Sequence, residues 1–483
     1  MEYLYLKNRY KILFSFTVMF ALIFYVGIIH AQEFSPEEAL QWGVQHNRDL
    51  QNLRYSIKDL QLNLEILEAA KDFQVDLSMT PIWRLGKSSD SYLVEMEENK
   101  FTPDTKLSLS AKKLLAPDLS LTSEVIWESE NIANYSLEAM VNEVNASIRI
   151  DKKLYPATWT EQEKQVYSLE NSLKMKIEEL RWEEMEKQIE FIQQYLNVIR
   201  LQEQKDIVTE QLQLAEEELT RVRAQIEMGE GGYQQETEAI IALDETRNQL
   251  WNTTQNLKNA EKQWFLLLNL PEGMKVNFNR EADFLKDLSS QMENLAINER
   301  DQNDLINQAL QENYQVRNSM VEEEELLKEL QWTKDSGKPS FNLSGGYTYP
   351  DNDWFVMLDF AVNLADGGAQ ELKVKQKEDN IERKKVSIDY LMEVLRLEAE
   401  QLLDQDEYNQ LLLNTQLVVL EKEQNKVKIM EQQYQQGAIN LTQFKKSLLV
   451  LKEKELNVKQ AYDQWLIDRL KLAHFIGYLQ NEV

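Results

Sequence analysis

Few side chains in this sequence have the types and spacing that catalysis requires. Of its three histidines, the two that follow the N-terminal segment are His46 and His474, and neither belongs to a His-Glu-x-x-His zinc pattern. No Walker loop or Gly-x-Ser-x-Gly elbow occurs, and Gly229-Glu-Gly-Gly lacks the Lys-Ser/Thr that must follow a phosphate loop. Cysteine is absent, which excludes a thiolate metal site. We therefore predict that the protein is not an enzyme and has no catalytic residue, cofactor or metal site.

The charge of the chain excludes one large class of partner. Its net charge is −29, whereas binding to a phosphate backbone needs a basic surface, so no nucleic-acid partner is expected. The same charge would favour cations in any lumen that the chain lines. Many soluble proteins also have acidic surfaces, so charge alone does not decide between a lumen and an ordinary exterior.

The remaining candidates for function are two glycine turns that interrupt very long helices. Residues 160–228 contain no proline and no glycine, and a continuous helix of that length measures about 100 Å. A second helix is predicted from about Tyr233 to Leu270, before Pro271. The glycines that separate the two helices are Gly229, Gly231 and Gly232. In the second half, Gly437 has the role of helix terminator, and Asn440 is predicted to cap the next helix with Gln443 three residues later.

Residues 1–31 have the pattern of a secretory signal peptide. Basic residues precede an apolar run from Ile12 to Ile29, and Ala31 offers a cleavage point. The run is long enough to stay as an uncleaved anchor, but the small and polar residues that follow favour cleavage. Without cysteine there is no site for lipid attachment at a mature N-terminus.

Six segments alternate between apolar and polar residues, as half-buried strands do. Four lie in the first half, and two lie in the second: 75–84, 105–111, 119–127, 145–151, 341–349 and 354–364. Leu107 and Leu109 alternate with Ser108 and Ser110, so one face suits lipid and the other suits a wet lumen. Aromatic residues in or beside these segments suit a girdle at a membrane surface, namely Trp83, Trp127, Trp354 and Phe355. A soluble sandwich with an aromatic core would alternate in the same way.

The second half repeats the first. Asn47 corresponds to Asn313 at an offset of 266 residues, and Gly229 corresponds to Gly437 at an offset of 208. We therefore predict a first repeat over 32–280, a connecting segment over 281–300 and a second repeat over 301–483. The strands and helical hairpins are expected at about 75–153 and 160–270 in the first repeat, and at about 341–364 and 369–478 in the second. The first repeat has 58 additional residues between its strands and its turn, nearly all within 87–142.

This duplicated helix-strand-strand-helix-helix order resembles the TolC family of outer-membrane efflux and secretion channels over residues 35–478. The second-half strand region from Pro339 to Gly368 is similar to that family, and so are the turns around Gly229 and Gly437. The resemblance implies a mixed α/β membrane protein in which three subunits form one β-barrel and one long antiparallel α-helical barrel. It also implies a location in the cell outer membrane that extends into the periplasm. The implied function is a passive exit duct of a tripartite efflux pump or a type I secretion system.

The resemblance further implies partners and site residues. The partners are two more copies of the chain, a periplasmic membrane-fusion adaptor, an inner-membrane pump or ABC-type exporter reached through that adaptor, and outer-membrane lipid. The adaptor-docking tip is assigned to Gly229, Gly231, Gly232, Gly437, Ala438, Ile439 and Asn440. Candidates for the pore constriction are Tyr434, Gln443 and Lys446. Well-known members have aspartates where this chain has Gln443 and Lys446, so an acidic ring is not expected here.

Two questions stay open at this level. Segments 105–111 and 119–127 either enter the membrane, which gives six strands per subunit and eighteen in a trimer, or form an extracellular hairpin, which leaves the family's usual twelve. The six-strand arrangement is favoured. The alternative to a channel is a secreted coiled-coil scaffold or adhesin without channel activity. The last helix has a seven-residue apolar repeat that includes Leu451, Val458 and Trp465 and is interrupted by Glu455 and Arg469; we interpret it as helix packing.

Overall fold

The computed structural model describes residues 33–86, 100–116, 118–130, 144–156, 159–295, 297 and 301–479. The predicted signal peptide, 1–31, lies outside these residues, and so do residues 87–99, 117 and 131–142 of the predicted insertion. The chain divides into two compact units. The helical unit contains the chain up to Leu53, Leu180–Asn313 and the chain from Val394, whereas the sheet unit contains Arg54–Glu179 and Tyr314–Glu393. Each unit thus takes parts of both sequence halves, and the repeat boundaries given above stay predictions.

The described residues form nine α-helices. They are α1 (Pro36–His46), α2 (Arg48–Ala69), α3 (Glu161–Glu227), α4 (Tyr233–Leu267), α5 (Asp283–Asn294), α6 (Gln302–Glu312), α7 (Tyr314–Ser336), α8 (Ala369–Gln435) and α9 (Leu441–Phe475). Within the described part of the chain, none of them is long and apolar enough to cross a membrane.

The corresponding helices of the two halves have matching lengths. Both α3 and α8 have 67 residues, and both α4 and α9 have 35. Each end of α8 and α9 lies 208 residues after its counterpart (161 to 369, 227 to 435, 233 to 441 and 267 to 475). Helices α1 and α6 are likewise related by 266 residues (36 to 302 and 46 to 312). The predicted duplication of the helix-strand-strand-helix-helix order is confirmed.

The pattern Ser35-Pro36-Glu37-Glu38 predicts a capped helix start, and helical spacing predicts one helix from there to about Asp72. The first helix begins at the predicted start. Ser35 Oγ accepts from the backbone N–H of Glu38 at 3.1 Å, and a Glu38 carboxylate oxygen accepts from the N–H of Ser35 at 2.9 Å. The single helix expected to run to about Asp72 is divided at Asn47, whose Oδ1 accepts from the N–H groups of Asp49 and Leu50. The Asn47 side chain therefore satisfies the start of α2 and makes a break that apolar spacing does not reveal.

Eight strands are present in the described residues: β1 (Glu33–Phe34), β2 (Gln74–Gly86), β3 (Lys100–Ala116), β4 (Leu119–Glu130), β5 (Val144–Tyr155), β6 (Lys275–Val276), β7 (Ser340–Tyr349) and β8 (Asp353–Ala361). Strands β1 and β6 make one short parallel pair. The other six form an antiparallel sheet in the order β2-β3-β4-β5-β7-β8. Strands β3 and β4 lie between β2 and β5, and β2 pairs with β3 over its whole length. The sheet does not close on itself, so β2 and β8 are its edges.

A buried polar cluster lies in the helical unit, where the last helix interrupts its apolar repeat. Arg469 is 4% exposed and donates to Asp406 Oδ2 at 2.6 Å. It also donates to the carbonyl oxygens of Met292 and Leu295 at 2.9 and 2.6 Å, at the end of α5. Burial raises the pKa of Asp406, against the opposing effect of the Arg469 charge. The cluster joins α5, α8 and α9 through one guanidinium.

A second buried group in the helical unit is His474, near the end of α9. Its ring centroid lies 4.0 Å from that of Trp182, and the residue is 5% exposed. Neither ring nitrogen has a hydrogen-bond partner among the described residues. Burial lowers the pKa of His474 to about 4, because the charged imidazolium loses its hydration there. The imidazole is therefore neutral in the folded protein near pH 7.

Candidate functional site

The strand register gives the six-stranded sheet one apolar and one polar face. Paired residues of antiparallel strands point to the same side, and the pairs Leu77–Leu109, Val125–Leu109 and Ile150–Leu121 all match apolar residues. The apolar face is made of Val75, Leu77, Met79, Leu107, Leu109, Leu121, Val125, Trp127, Ile148, Ile150, Leu343, Tyr347, Trp354, Val356, Leu358 and Phe360. All six strands contribute to it, and the alternation of β3 and β4 is in phase with that of their neighbours.

Among the described residues, nothing covers this apolar face. Met79 on one edge strand is 67% exposed and Val356 on the other is 82% exposed. Ile148 and Ile150, in the middle of the sheet, are also exposed. Soluble monomeric proteins rarely expose a continuous apolar patch of this extent, and such patches mark contact with a membrane or another protein.

The opposite face is polar and hydrogen-bonded across its strands. It consists mainly of Asp76, Ser78, Lys106, Ser108, Ser110, Lys112, Thr122, Glu124, Ser147, Arg149, Asp151, Asn342, Ser344, Thr348 and Asp359. Ser78 and Ser108 share a hydrogen bond of 2.7 Å. Asp151 accepts from Ser344 Oγ at 2.6 Å and pairs with Arg149 at 2.8 Å. These groups satisfy one another, and Arg149 remains exposed to water whereas Ser344 is buried.

Of the aromatic residues predicted for a membrane-surface girdle, two lie on the apolar face, and the girdle itself stays a prediction. Trp354 is on the apolar face, 83% exposed, with its ring centroid 5.1 Å from that of Tyr347. Trp127 is on the same face. Phe355 is on the polar face instead, because it follows Trp354 directly and side chains alternate along a strand. The side chain of Trp83 lies outside the described residues.

The first glycine turn ends α3 with a left-handed residue. Gly229 has φ of +82°, the Gly229 N–H donates to Ile226 O at 2.9 Å, and the Glu230 N–H donates to Gln225 O at 2.8 Å. These two hydrogen bonds satisfy carbonyl groups in the last turn of the helix, and the left-handed residue that they require is usually glycine. A Cβ on Gly231 would lie 2.9 Å from Ile226 Cγ1. Gly232 precedes α4 and donates its N–H to Gln235 Oε1 at 3.3 Å.

The second turn has the same backbone arrangement and a complete side-chain cap. Gly437 has φ of +72°, and the N–H of Ala438 donates to Gln433 O at 2.8 Å. Asn440 Oδ1 accepts from the N–H of Gln443 at 2.8 Å, and Gln443 Oε1 accepts from the N–H of Asn440 at 3.1 Å. The predicted left-handed glycine and the predicted cap are both present. Ala438 and Asn440 are exposed, whereas Ile439 is half-buried.

A ladder of ion pairs brings the two turns to one end of the helical unit. Three lysines of α9, spaced by seven residues, pair with three glutamates of α3, spaced by seven in the opposite direction. The pairs are Lys445–Glu217 at 2.6 Å, Lys452–Glu210 at 2.6 Å and Lys459–Glu203 at 2.7 Å. Since α9 starts just after the second turn and α3 ends just before the first, this antiparallel pairing places both turns together.

The three candidate constriction residues lie beside the second turn, but their side chains have different surroundings. Tyr434 stacks on Phe444 with ring centroids 5.4 Å apart and planes 5° apart. Gln443 is engaged in the cap of Asn440. Lys446 is exposed. Neither position 443 nor position 446 has a carboxylate.

Three features with functional potential are not predicted from the sequence: the Lys–Glu ladder, the cluster around Arg469, and two lysines on the apolar face, Lys113 and Lys152. The seven-residue spacing of Lys445, Lys452 and Lys459 is a signal that could have revealed the ladder. The partners of Arg469 are 63 to 177 residues away and give no local signal.

No protein-family profile matches the sequence, and no curated protein matches it. Solved structures do match it. CusC, a protein that undergoes conformational changes on folding and transmembrane channel formation, superposes with a TM-score of 0.63 at 13% identity over 91% of both chains. The outer membrane channel CmeC of Campylobacter jejuni gives 0.62 at 11% identity over 92% of this chain and 85% of that one. The outer membrane protein VceC of Vibrio cholerae gives 0.57 at 12% identity over 92% and 95%. These likenesses establish the fold.

Proposed function

We propose that this chain, which has the fold of TolC-family outer-membrane channels, forms a passive exit duct in the outer membrane that extends into the periplasm. It would serve an efflux pump or a type I secretion system. The observation that carries the proposal is the two-faced sheet, which joins an exposed apolar face and a polar face to two pairs of long helices.

The apolar face suits contact with lipid for three reasons. It extends across all six strands, it has exposed aromatic residues such as Trp354, and its counterpart is polar. A sheet in a membrane channel needs this combination, with apolar side chains towards hydrocarbon and polar side chains towards a wet lumen. A secreted scaffold or adhesin would leave the same apolar face in water, which is unfavourable by about 25 cal/mol for each Å² of apolar surface.

The edges of the sheet favour assembly with identical copies. In lipid, unpaired backbone N–H and C=O groups are very unfavourable, so an open sheet cannot remain there. The free edge of β8 in one copy can pair with the free edge of β2 in the next, and repeating this contact closes a ring. We propose a homotrimer, as the family resemblance implies, which gives a closed sheet of eighteen strands.

The positions of β3 and β4 support eighteen strands rather than twelve in the proposed trimer. An extracellular hairpin would leave β2 paired with β5, whereas here β3 and β4 separate them. The apolar residues of the inserted strands, including Leu109 and Val125, face the same side as those of β2 and β5. Because the diameter of a closed sheet grows with strand number, the opening in the membrane would be wider than that of a twelve-stranded relative.

The two glycine turns are proposed as the periplasmic tip that meets a membrane-fusion adaptor, which in turn connects to an inner-membrane pump or an ABC-type exporter. Both turns are at one end of the helical unit and expose short side chains, including Ala438. Compact, exposed turns allow close approach of a partner's helices. The residues that narrow the pore are proposed to include Tyr434.

Fractionation tests the function. The protein should be found in outer membranes, should require detergent for extraction, and should run as a trimer after cross-linking. A monomer in the soluble fraction would contradict the proposal. Reconstituted protein should also conduct ions in a planar bilayer, which a scaffold or adhesin would not do.

The strand number can be tested by labelling single cysteines, because the natural chain contains none. Leu109→Cys places a thiol on the apolar face of β3, and Ser110→Cys places one on the polar face of the same strand. In membranes, a water-soluble maleimide should label position 110 and leave position 109 unreacted until detergent is added. Val75→Cys and Asp76→Cys give the same comparison for β2. If both positions in β3 react in membranes, this strand is not in the wall.

A further inference from the structure

The apolar face carries aromatic rings and two lysines at the end of the sheet that adjoins the helices. Phe341 and Phe360 face each other there with ring centroids 4.7 Å apart, and Tyr155 lies 6.1 Å from Phe341. Phe73, immediately before β2, is also exposed. Two lysines occur among these rings. They are Lys113, opposite Leu121, and Lys152, opposite Leu119.

The register fixes which lysines belong to the apolar face. Leu121 pairs with Ile150, so Lys113, Leu121 and Ile150 share that face, and Lys152 follows two residues after Ile150. The neighbouring Lys112 and Lys153 face the polar side, since side chains alternate along each strand. The same two strands therefore carry two lysines on the apolar face, Lys113 and Lys152, and two adjacent lysines on the polar face, Lys112 and Lys153.

The two apolar-face lysines have surroundings that leave their charge available. The Lys113 ammonium lies 4.7 Å from the centre of the Phe73 ring, a cation–π contact that leaves room for an anion. Lys152 is exposed. Within the described residues, neither lysine forms an ion pair, although the polar face of the same strand pairs Arg149 with Asp151.

We propose that Lys113 and Lys152 bind the phosphate of an anionic phospholipid at the helix-proximal margin of the apolar face. The inference rests on the proposed location in the outer membrane. A lysine on a lipid-facing surface extends its ammonium to the membrane interface, where the available counter-ion is a headgroup phosphate. Aromatic side chains such as Tyr155 favour the same level.

The net negative charge of the chain means that binding to an anionic lipid depends on these two lysines and is not a general property of the protein. A chain of net charge −29 repels anionic surfaces overall, so attraction requires cations placed locally. Each lysine near a membrane surface strengthens attraction to anionic lipid severalfold. The side of the sheet that adjoins the helices faces the periplasm in the proposed orientation, so the bound lipid belongs to the inner leaflet.

Native mass spectrometry of the detergent-solubilised protein, mixed with phosphatidylglycerol or phosphatidylcholine, tests this. The wild type should retain phosphatidylglycerol preferentially, and the double variant Lys113→Ala, Lys152→Ala should lose that preference by about thirtyfold. The matched control is Lys112→Ala, Lys153→Ala, which removes the same charge from the same strands but from the polar face, and it should keep the preference. The variant Lys113→Arg, Lys152→Arg should also keep it.

The proposal would be overturned if the apolar-face variant and the wild type retained phosphatidylglycerol equally, or if both alanine variants lost it equally. It would also be overturned if millimolar glycerol phosphate displaced the lipid, because that would indicate a site for free phosphate. Failure of the proposed channel function would look different, since the protein would then fractionate as soluble and retain neither lipid.

Discussion

Replacing His474 with leucine should remove the loss of stability that the end of α9 undergoes as the pH decreases. The imidazole is buried against Trp182 with no hydrogen-bond partner for either nitrogen among the described residues. Burial lowers its pKa from an ordinary value of 6.5 to about 4. Between these pH values the unfolded segment binds a proton that the folded segment does not, so stability is complete above pH 6.5 and falls as the pH decreases towards 4.

The size of the effect follows from the two pKa values. Lowering the pKa from 6.5 to about 4 corresponds to about 3 kcal/mol in total, at about 1.4 kcal/mol for each tenfold change in proton affinity. At pH 5 about 2 kcal/mol of this is already lost, which corresponds to about a thirtyfold increase in the population of the opened segment. Desolvation is the only cause of the lowered pKa, so no interaction with a neighbouring charge contributes to this free-energy difference.

Hydrogen–deuterium exchange of the detergent-solubilised protein measures this locally. Protection of amides in residues 465–475, corrected for intrinsic exchange rates, should fall about thirtyfold between pH 7 and pH 5 in the wild type. In His474→Leu the fall should be absent. At pH 7 the variant should be at least as protected, because leucine leaves no unpartnered polar atom in the site. His46→Leu, on the half-buried α1, is the control and should keep the wild-type pH dependence.

An equal loss of protection in His474→Leu and the wild type would refute the reasoning. So would unchanged wild-type protection between pH 7 and pH 5, since the imidazole would then not be neutral and buried as described.

Three further outcomes are expected. Asp406→Ala leaves the buried Arg469 charge without its partner and should destabilise the protein by about 3–5 kcal/mol in denaturant unfolding. The control Lys452→Ala breaks a half-exposed ion pair and should change the free energy of unfolding by less than about 1 kcal/mol. Similar values for the two variants would show that the cluster is not buried and coupled. Ala438→Glu should abolish export while membrane insertion and trimer formation persist, and normal export at normal protein levels would contradict the docking role. In single-channel recordings, polyvalent cations should show no tight block that depends on residues 443–446, because Gln443 and Lys446 provide no carboxylate.

The local parts of this fold were predictable because their causes lie within a few residues. Ser35 and Glu38, or Asn440 and Gln443, cap a helix by contacts over three positions. Gly437 ends a helix because only its own backbone must adopt positive φ. The long helices and their duplication follow from the absence of breakers and from constant offsets.

The order of the strands could not be predicted, because alternation in β3 and β4 fits two arrangements equally well. A surface hairpin and a membrane strand pair both need one apolar face, and the choice depends on whether β2 pairs with β3 or with β5. That pairing is decided by contacts between segments distant in sequence. Arg469 shows the same limit: it was interpreted as an interruption of an apolar repeat, and its function as a junction depends on Asp406 and on carbonyl groups of a different helix.

The free edges of β2 and β8 affect how the protein reaches its assembled state. Until each edge meets another copy, a single chain exposes unpaired backbone groups beside a broad apolar surface, which is a template for aggregation. Closing the proposed ring would require collisions between chains and would therefore depend on their concentration. In the proposed ring, low expression would prolong the unassembled stage, in which chaperones and proteases would compete with ring closure for the same exposed edges.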